Sequence, residues 1–500
     1  MIAAKSRVDT WLGRFTMYRL ILWVLGVLVV YSMILNVLGW LTFGLPEMLV
    51  HLLLCLGVTY GSNRLLAVVF RVKPHTESSL ITALLLYFLF WPAFGLTDMA
   101  GVALACVLAS VSKYALAFRG RHIFNPAAAG AFITGLTGLN IATWWAATPA
   151  MLWLLVPGVL LVLYRTRKLL MATVFIVVAS GIITLELLNR SMTFGQALWQ
   201  TLAQRPLLFF VGFMLSEPLT LPPRRWQQLA LAAVVGVVFA VPYNFGFVAN
   251  SPELALLLGN LIAFFLGQRG GVELTFKESR VLTPESTEFR FEPARPVRFA
   301  AGQFMELNLP HSRSDGRGRR RIFSITSAPG APEVTFGVGT AEPLSSAKKA
   351  LLALRPGETV SATAIGGDFL LPHDAGKPVL LMAAGIGITP FLSQLAADGT
   401  ARDTVVLYLA KSRDELAWVE QLEASGATVI ARLADGSTPP EFMRDAGTSR
   451  IDAARLKELV PDIADREVFV SGSPASVDSL RSAARGAGAR RVHVDSFAGY

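Results

Sequence analysis

The segment VLLMAAGIGITP, residues 379–390, decides the fold of the C-terminal part of this sequence. It begins as a run of apolar strand-forming residues and passes through two glycines into Thr-Pro, a typical helix start. Further apolar strands are predicted at 405–409 and 467–470, with a helical stretch at 414–424. Strands that alternate with helices over about 120 residues predict a parallel α/β domain across 375–500.

The two glycine turns of this domain are candidate dinucleotide sites. Glycine lets a phosphate approach the backbone, and the start of the following helix favours its negative charge. One Gly-x-Gly turn is weak evidence, but a second turn, SGSP at 471–474, follows the later strand. The candidate residues are Gly385, Gly387, Thr389, Pro390, Gly472 and Ser473. Ser412 and Arg413, after the 405–409 strand, are candidates to hold a 2′-phosphate and favour NADPH over NADH.

The preceding residues, 272–374, alternate between apolar and polar and are broken by turns, which predicts a small antiparallel β-barrel. One of its strands carries RIFSITS, residues 321–327. Arg321 offers a forked cation for a pyrophosphate, Phe323 an aromatic face for a flavin, and Ser324 a hydroxyl for the ring edge. Alternation places Arg321 and Phe323 on one face. An ordinary amphipathic strand remains the alternative interpretation.

The first 271 residues have a different character. Only 16% of the 500 residues are charged and 53% are hydrophobic, whereas soluble domains carry about a quarter charged residues. Ten apolar runs predict a polytopic α-helical membrane domain of about ten spans. The runs lie near 20–42, 45–68, 79–95, 99–118, 123–143, 147–164, 169–188, 206–219, 227–242 and 253–268.

The charges of this part follow the loops between the runs. Residues 1–271 carry 18 basic and 7 acidic residues, and the remainder carries 27 basic and 28 acidic ones, so the net charge of +10 is not a nucleic-acid signature. Basic residues precede the first run and follow each even-numbered one, which predicts that both termini are cytoplasmic. These residues are Arg7, Arg14, Arg19, Arg64, Arg71, Lys73, Lys113, Arg119, Arg121, Arg165, Arg167, Lys168, Arg224, Arg225 and Arg269.

Few side chains of the membrane part suggest metal or haem chemistry. Two cysteines, Cys55 and Cys106, cannot supply the four ligands of an iron–sulfur cluster, and both are expected to be small buried side chains. The three histidines here lack the paired spacing of a haem relay. No metal site is predicted.

Three short stretches of the membrane part stand out: FNPA at 124–127, FMLSEPLTLP at 213–222, and Gly259-Asn260. They resemble the D subunit of the Rnf electron-transport complex and the B subunit of the sodium-translocating NADH:quinone reductase. Many such subunits bind FMN covalently through the threonine of a Ser-Gly-Ala-Thr motif. That tetrapeptide is absent, and the nearest match makes Thr148 a candidate covalent FMN anchor, with a Thr-Pro helix start as the alternative.

The C-terminal part resembles the ferredoxin–NADP⁺ reductase family over essentially all of 272–500. The matching stretches are GQF at 302–304, RIFS at 321–324, RPGE at 355–358, GDF at 367–369, GIGITP at 385–390 and DSF at 495–497. The resemblance implies FAD as cofactor and NAD(P)H as electron donor. It implies that Arg321, Phe323 and Ser324, with neighbouring Thr326 and Ser327, bind FAD. Ser324 and Phe497 would be the catalytic residues, with Phe497 or Tyr500 against the flavin. Ser471 stands where the family often has cysteine, and the Gly339–Ser346 stretch fits the family's pyrophosphate helix loosely.

These expectations combine into one hypothesis. The protein is predicted to be a membrane-bound NAD(P)H:acceptor oxidoreductase that passes electrons through FAD to a quinone, a bound flavin or an extracytoplasmic redox partner. Two alternatives remain: a redox-driven ion transporter using Glu217, Glu186 or Asp98, and a reductase that the membrane part only anchors.

Overall fold

The computed structural model describes residues 16–72, 74–118, 121–246, 248–267, 271–309, 311 and 319–497. Tyr500 and five of the basic loop residues (Arg7, Arg14, Lys73, Arg119 and Arg269) lie outside these ranges. The chain divides between residues 270 and 271 into two compact units.

The first unit is helical. Its α-helices are α1 (Met17–Val37), α2 (Leu45–Val69), α3 (Thr76–Leu89), α4 (Leu96–Ala115), α5 (Pro126–Leu136), α6 (Leu152–Arg165), α7 (Leu169–Asn189), α8 (Phe194–Gln204), α9 (Leu207–Phe209), α10 (Arg225–Ala240) and α11 (Pro252–Phe265). A short ribbon of β1 (Ala117–Phe118) and β2 (Arg121–His122) joins α4 to α5, and a π-helical segment, Phe210–Leu215, continues α9.

Four helices among the described residues are long and apolar enough to cross a membrane: α1, α2, α4 and α7. Five more apolar segments have 10–17 residues: Thr76–Leu89, Pro126–Leu136, Pro149–Arg165, Arg225–Ala240 and Pro252–Phe265. These nine segments lie in nine of the ten predicted runs, and the run at 206–219 contains α9 and the π-helical segment. Only four of the described helices reach the length of a spanning helix. Helix α8 was not predicted, because its sequence is less apolar than its neighbours.

Small residues bring α4 and α5 close together. Asn125 caps α5 by accepting a hydrogen bond from Ala128 N, with Pro126 in the first turn. A Cβ added to Gly130 would lie 2.4 Å from the carbonyl oxygen of Ala105 and 2.9 Å from the Cβ of Ala109. The backbones of the two helices are thus nearly in contact.

The second unit starts with a closed antiparallel barrel. Its strands are β3 (Val272–Thr283), β4 (Ser286–Pro293), β5 (Phe304–Asn308), β6 (Arg320–Ser324), β7 (Val334–Gly339) and β8 (Thr359–Gly366), with helix α12 (Ser346–Leu352) between β7 and β8. The strand order is β6-β5-β8-β3-β4-β7, and a bridge between Ile325 and Phe336 closes the two edges. Alternate residues of the strands, including Phe291 and Met305, fill the barrel core.

A parallel sheet follows, in the order β12-β11-β10-β9-β13-β14. Its strands are β9 (Val379–Ala384), β10 (Thr404–Ala410), β11 (Thr428–Leu433), β12 (Arg444–Asp445), β13 (Glu467–Gly472) and β14 (Val492–Ser496). Helices α13 (Thr389–Asp398), α14 (Val419–Ala424), α15 (Ala453–Leu459) and α16 (Pro474–Gly486) complete it. Separate apolar clusters cover its two faces, as in a doubly wound sheet.

The helix predicted over 414–424 is shorter than expected. A 3₁₀ turn occupies Arg413–Glu415, and α14 begins only at Val419. The cause is Trp418, whose backbone is left-handed with φ of 56° and therefore cannot continue a helix.

Two glycines of the second unit allow a matched test of backbone packing. Gly302 and Gly330 both have positive φ, 91° and 84°. A Cβ at Gly302 would lie 2.3 Å from the carbonyl oxygen of Phe369, whereas one at Gly330 would meet nothing within 4 Å. Gly330→Ala should cost about 1–2 kcal/mol for the left-handed backbone, and Gly302→Ala should cost about 1–3 kcal/mol more for the clash.

The measurement is the thermal midpoint of flavin release from the full-length protein in detergent. Equal midpoints for the two variants would contradict the close approach of residues 302 and 369.

Candidate functional site

The two predicted glycine turns lie side by side. Strands β9 and β13 are parallel neighbours, so their carboxyl ends meet at one edge of the sheet. The strand order reverses between them, which is where parallel α/β sheets bind ligands. Gly385 has φ of 55°, and a Cβ at Gly387 would lie 2.3 Å from the carbonyl oxygen of Ser471. Gly472 packs on Ala384 in return. Backbone atoms therefore form this edge of the sheet, which we call the cradle. Any side chain larger than that of glycine would fill it.

The hydroxyls next to these turns make local hydrogen bonds, and that of Ser473 caps a helix. Thr389 Oγ1 donates to Ile386 O at 3.0 Å and so closes the first turn. Ser473 Oγ accepts a hydrogen bond from Ser476 N at 3.3 Å at the start of α16. Pro390 is buried in the first turn of α13. These three residues shape the turns, and the peptide groups of the turns are the predicted surface for a phosphate.

One buried hydroxyl lies within the cradle. Ser471, where the related family often has cysteine, is fully buried. Its Oγ makes no hydrogen bond within the described residues. A buried polar atom without a partner is costly, so it suits a site that a polar ligand completes.

The predicted flavin strand, β6, is mostly buried. Arg321 and Phe323 lie on one face of the strand, with exposed fractions of 2% and 7%, and Ile322 between them is exposed. The Arg321 Nη1 donates to Arg320 O at 2.8 Å. The Phe323 ring belongs to the barrel core, 6.3 Å from the ring of Phe336. Ser324 ends the strand and is buried.

The residues after this strand tie the barrel to the parallel sheet. Thr326 hydrogen bonds through both its backbone N and its hydroxyl to Thr335, at 2.9 and 2.6 Å. The Ser327 carbonyl accepts a hydrogen bond from Ser393 Oγ on α13 at 2.7 Å. One hydrogen bond thus links the segment after the predicted flavin strand to α13, the helix that begins at the predicted dinucleotide turn.

Trp418 supplies a second link, which sequence reasoning missed. Its indole Nε1 donates to Glu288 Oε1 on β4 at 3.0 Å, and both side chains are buried. A Cβ at Gly337 on β7 would lie 2.2 Å from the indole ring. No local signal predicts this contact, because the residues that meet are separated by up to 130 positions.

Ser412 and Arg413 lie at the end of β10, the strand beside β9. Arg413 is exposed, its backbone N donates to Ser437 Oγ at 2.9 Å, and its Nη1 donates to Thr438 O at 3.4 Å. Neighbouring Lys411 binds the Glu285 carboxylate at 2.6 and 2.7 Å, a hydrogen bond that raises the pKa of the Lys411 ammonium and keeps it cationic. Two cations therefore stand at the same edge as the glycine turns.

Phe497 is held beside the second turn. Its backbone N donates to Gly472 O at 2.9 Å directly after β14, and its side chain is half-buried. Tyr500, the other candidate to cover the flavin, lies outside the described residues.

In the helical unit, the three stretches singled out in the sequence meet in one polar cluster. The Glu217 carboxylate binds His122 Nε2 at 3.0 Å and Asn125 Nδ2 at 2.9 Å. Asn260 Oδ1 accepts from Asn125 N at 2.8 Å, and Arg121 donates to the carbonyl oxygens of Pro218 and Leu219. Glu217 is therefore paired and hydrogen-bonded, as a carboxylate among apolar helices must be.

The candidate FMN anchor, Thr148, precedes a 3₁₀ turn, Pro149–Met151, that leads into α6. Its hydroxyl oxygen is buried and makes no hydrogen bond within the described residues. The residue thus occupies a Thr-Pro helix start, and its role as an anchor stays a prediction.

No family model matches the chain. Over 235 residues it is 31% identical to ferredoxin–NADP reductase B of Sorangium cellulosum, a match that covers 43% of this chain and 92% of that protein. The C-terminal part of the chain belongs to the ferredoxin–NADP reductase family. This reductase part is an FAD-dependent NAD(P)H oxidoreductase, with FAD as cofactor and NAD(P)H as electron donor.

Two further relatives match a similar share of the chain. The chain is 29% identical over 209 residues to the NADPH oxidoreductase of Mycobacterium tuberculosis, covering 40% of this chain and 52% of that one. It is 25% identical over 226 residues to the flavohemoprotein of Bacillus subtilis, covering 43% and 56%. The chain thus spans about half the length of these two relatives. A crystal structure of a ferredoxin NADP⁺ reductase from Neisseria gonorrhoeae with bound FAD and NADP aligns with a TM-score of 0.39 at 18% identity, covering 45% of this chain and 98% of that one.

Adjacent arginines of the reductase part test the flavin strand. Arg321 is buried, whereas Arg320 is half-buried and faces Glu306. Arg321→Gln should abolish retention of FAD, because it removes the cation predicted to pair with the pyrophosphate. Arg320→Gln, the matched control, should retain FAD. The readout is the ratio of flavin to protein absorbance after purification, and full flavin content in Arg321→Gln would contradict the assignment.

The cradle is tested at Gly387. Gly387→Ala should push the Ser471–Gly472 backbone away and raise the KM for NAD(P)H at least about tenfold, with FAD content unchanged. Gly399→Ala is the control: its φ of 55° strains the backbone, but a Cβ there meets nothing within 4 Å, so the KM should be unchanged. The assay is steady-state ferricyanide reduction. An unchanged KM in Gly387→Ala would show that the dinucleotide binds elsewhere.

Proposed function

We propose that the protein is a membrane-bound NAD(P)H:acceptor oxidoreductase. In this proposal the reductase part takes electrons from NAD(P)H at the cytoplasmic face and passes them to an acceptor in or across the membrane. The acceptor is a quinone, a bound flavin or an extracytoplasmic redox partner.

One observation carries the proposal: the hydrogen bond from Ser393 Oγ to the Ser327 carbonyl. Transfer of hydride requires the nicotinamide to lie against the flavin in a defined geometry. This bond joins the RIFSITS segment to the helix that starts at the predicted dinucleotide turn. The Trp418–Glu288 bond also joins the parallel sheet to the barrel, from the segment that follows β10. FAD and NAD(P)H would therefore be positioned by one set of contacts between the barrel and the parallel sheet.

The residues would act by binding and orientation. Arg321 would neutralise the pyrophosphate from a buried position, and the backbone of the two glycine turns would receive the dinucleotide phosphates. Ser324 would place its hydroxyl at the edge of the flavin ring, and Phe497 would cover the ring until nicotinamide displaces it. FAD, when bound, supplies a carrier that accepts two electrons together and releases them singly.

The cations at the carboxyl end of β10 support NADPH as the donor. Arg413 is exposed, whereas the neighbouring Lys411 ammonium is already paired with the Glu285 carboxylate. A 2′-phosphate adds negative charge at this edge, where a guanidinium can bind it through two parallel hydrogen bonds.

The helical unit supports a membrane location. Its four long apolar helices and five shorter ones fit a polytopic domain, for which we propose ten membrane segments with both termini in the cytoplasm. Anchoring alone needs fewer helices, so we propose that this unit receives the electrons. The ion-transporter alternative has less support, because Glu186 is bound to Arg190 one turn away and Glu217 is bound to His122 and Asn125.

The test is anaerobic flavin spectroscopy on the full-length protein in detergent. NADPH should bleach the FAD absorbance near 450 nm, and decylubiquinone should restore it. Arg413→Gln should raise the KM for NADPH several-fold and leave that for NADH unchanged, whereas Arg432→Gln on the next strand should change neither. Absence of bleaching by both nucleotides would refute the proposed function, and a reduced flavin that ferricyanide reoxidises but quinone does not would remove the quinone as acceptor.

A further inference from the structure

The chain contains two cysteines, Cys55 on α2 and Cys106 on α4, and the fold places them opposite each other. Hydrogen bonds define the register of these two helices. Tyr114 Oη donates to Asn63 Oδ1 at 3.0 Å, and Ser110 Oγ approaches Thr59 O at 3.5 Å. Each pair is separated by 51 positions, so the helices run parallel with a constant offset.

The same offset pairs Cys55 with Cys106 one turn earlier, since helix positions four apart share a face. Both thiols are free and fully buried, and the register places them at the same level of the two helices. Two cysteines that are distant in sequence but adjacent in a register set by other residues are the pair that an S–S bond would join.

A base and two hydroxyls surround the pair. His51, one turn before Cys55, places its Nε2 3.9 Å from the Cys55 sulfur. The His51 ring lies 5.5 Å from the ring of Tyr87. The hydroxyls of Tyr87 and Thr59 are fully buried and make no hydrogen bonds within the described residues. Among those residues no three His, Cys, Asp or Glu side chains are grouped to hold a metal ion.

We propose that Cys55 and Cys106 are a redox-active dithiol that closes reversibly to a disulfide inside the helical unit. On closure two S–H bonds break and one S–S bond forms, and two electrons and two protons pass to an oxidant of the quinone class, which becomes the hydroquinone. On opening, NAD(P)H and one proton yield NAD(P)⁺ and two thiols. His51 is the catalytic base, which accepts the Cys55 proton as the S–S bond forms. Closure is independent of the proposed function, whereas reopening by NAD(P)H rests on it.

The experiment counts free thiols in the full-length, FAD-loaded protein in detergent. The protein is treated with decylubiquinone, whose fully substituted ring does not add thiols, then quenched in acid and labelled in SDS with a 5-kDa maleimide polymer. Two labels should be present before oxidation, none after it, and two again after NAD(P)H. Cys55→Ser and Cys106→Ser should each carry one label throughout.

If the wild-type protein keeps two labels after decylubiquinone and also after diamide, the proposal is overturned. The labels could return with dithiothreitol but not with NAD(P)H, while NAD(P)H still bleaches the FAD. That result would overturn the reopening of the disulfide by NAD(P)H and leave the proposed function intact. If NAD(P)H fails to bleach the FAD, the proposed function fails instead, and closure is still judged by the quinone step.

The role of His51 has its own readout. His51→Gln should slow oxidation by diamide at least about tenfold at pH 7 and make its rate rise more steeply with pH, because the thiolate must then form without a base. Ser62→Ala, on the same helix and bound to Ser110 at 2.8 Å, is the control and should oxidise like the wild type. The same rate and pH profile in His51→Gln would show that His51 only packs against the pair.

Discussion

The close approach of two backbone turns is the constraint on which the reductase part depends. Gly387 leaves no room for a side chain because the carbonyl oxygen of Ser471 occupies that position, and Gly472 packs on Ala384 in return. This contact requires β9 and β13 to be neighbours, although β13 starts 83 positions after β9 ends. It therefore sets the sheet order, and it leaves exposed peptide groups at the edge where a dinucleotide would bind.

The barrel and the parallel sheet are joined by a few polar contacts placed among apolar ones. The Trp418–Glu288 bond is buried and the Ser393–Ser327 bond is partly buried, and each would leave a costly unpaired group if the two parts separated. The left-handed backbone of Trp418 is the local conformation that aims its indole at the barrel. A shorter helix α14 is the consequence, and it is a case of tertiary packing overriding helix propensity.

The helical unit has two groups of polar side chains in an otherwise apolar interior. One gathers Glu217, His122, Asn125 and Asn260 where helices begin and end, so backbone groups freed by those ends are also hydrogen-bonded. The other places His51, Cys55 and Cys106 along the parallel pair α2 and α4.

The sequence by itself determined the features that depend on neighbouring residues. Apolar runs predicted the helices, alternation predicted the barrel strands, and the strand–glycine–Thr-Pro pattern of 379–390 predicted the first turn of the α/β sheet. Family membership of the reductase part also followed from its motifs. Local patterns determined nothing about which distant residues meet. The pairing of Asn125 with Asn260 spans 135 positions and that of Trp418 with Glu288 spans 130. Such contacts depend on the relative placement of whole helices and strands, and only the tertiary structure decides that placement, because many registers bury the same apolar faces equally well.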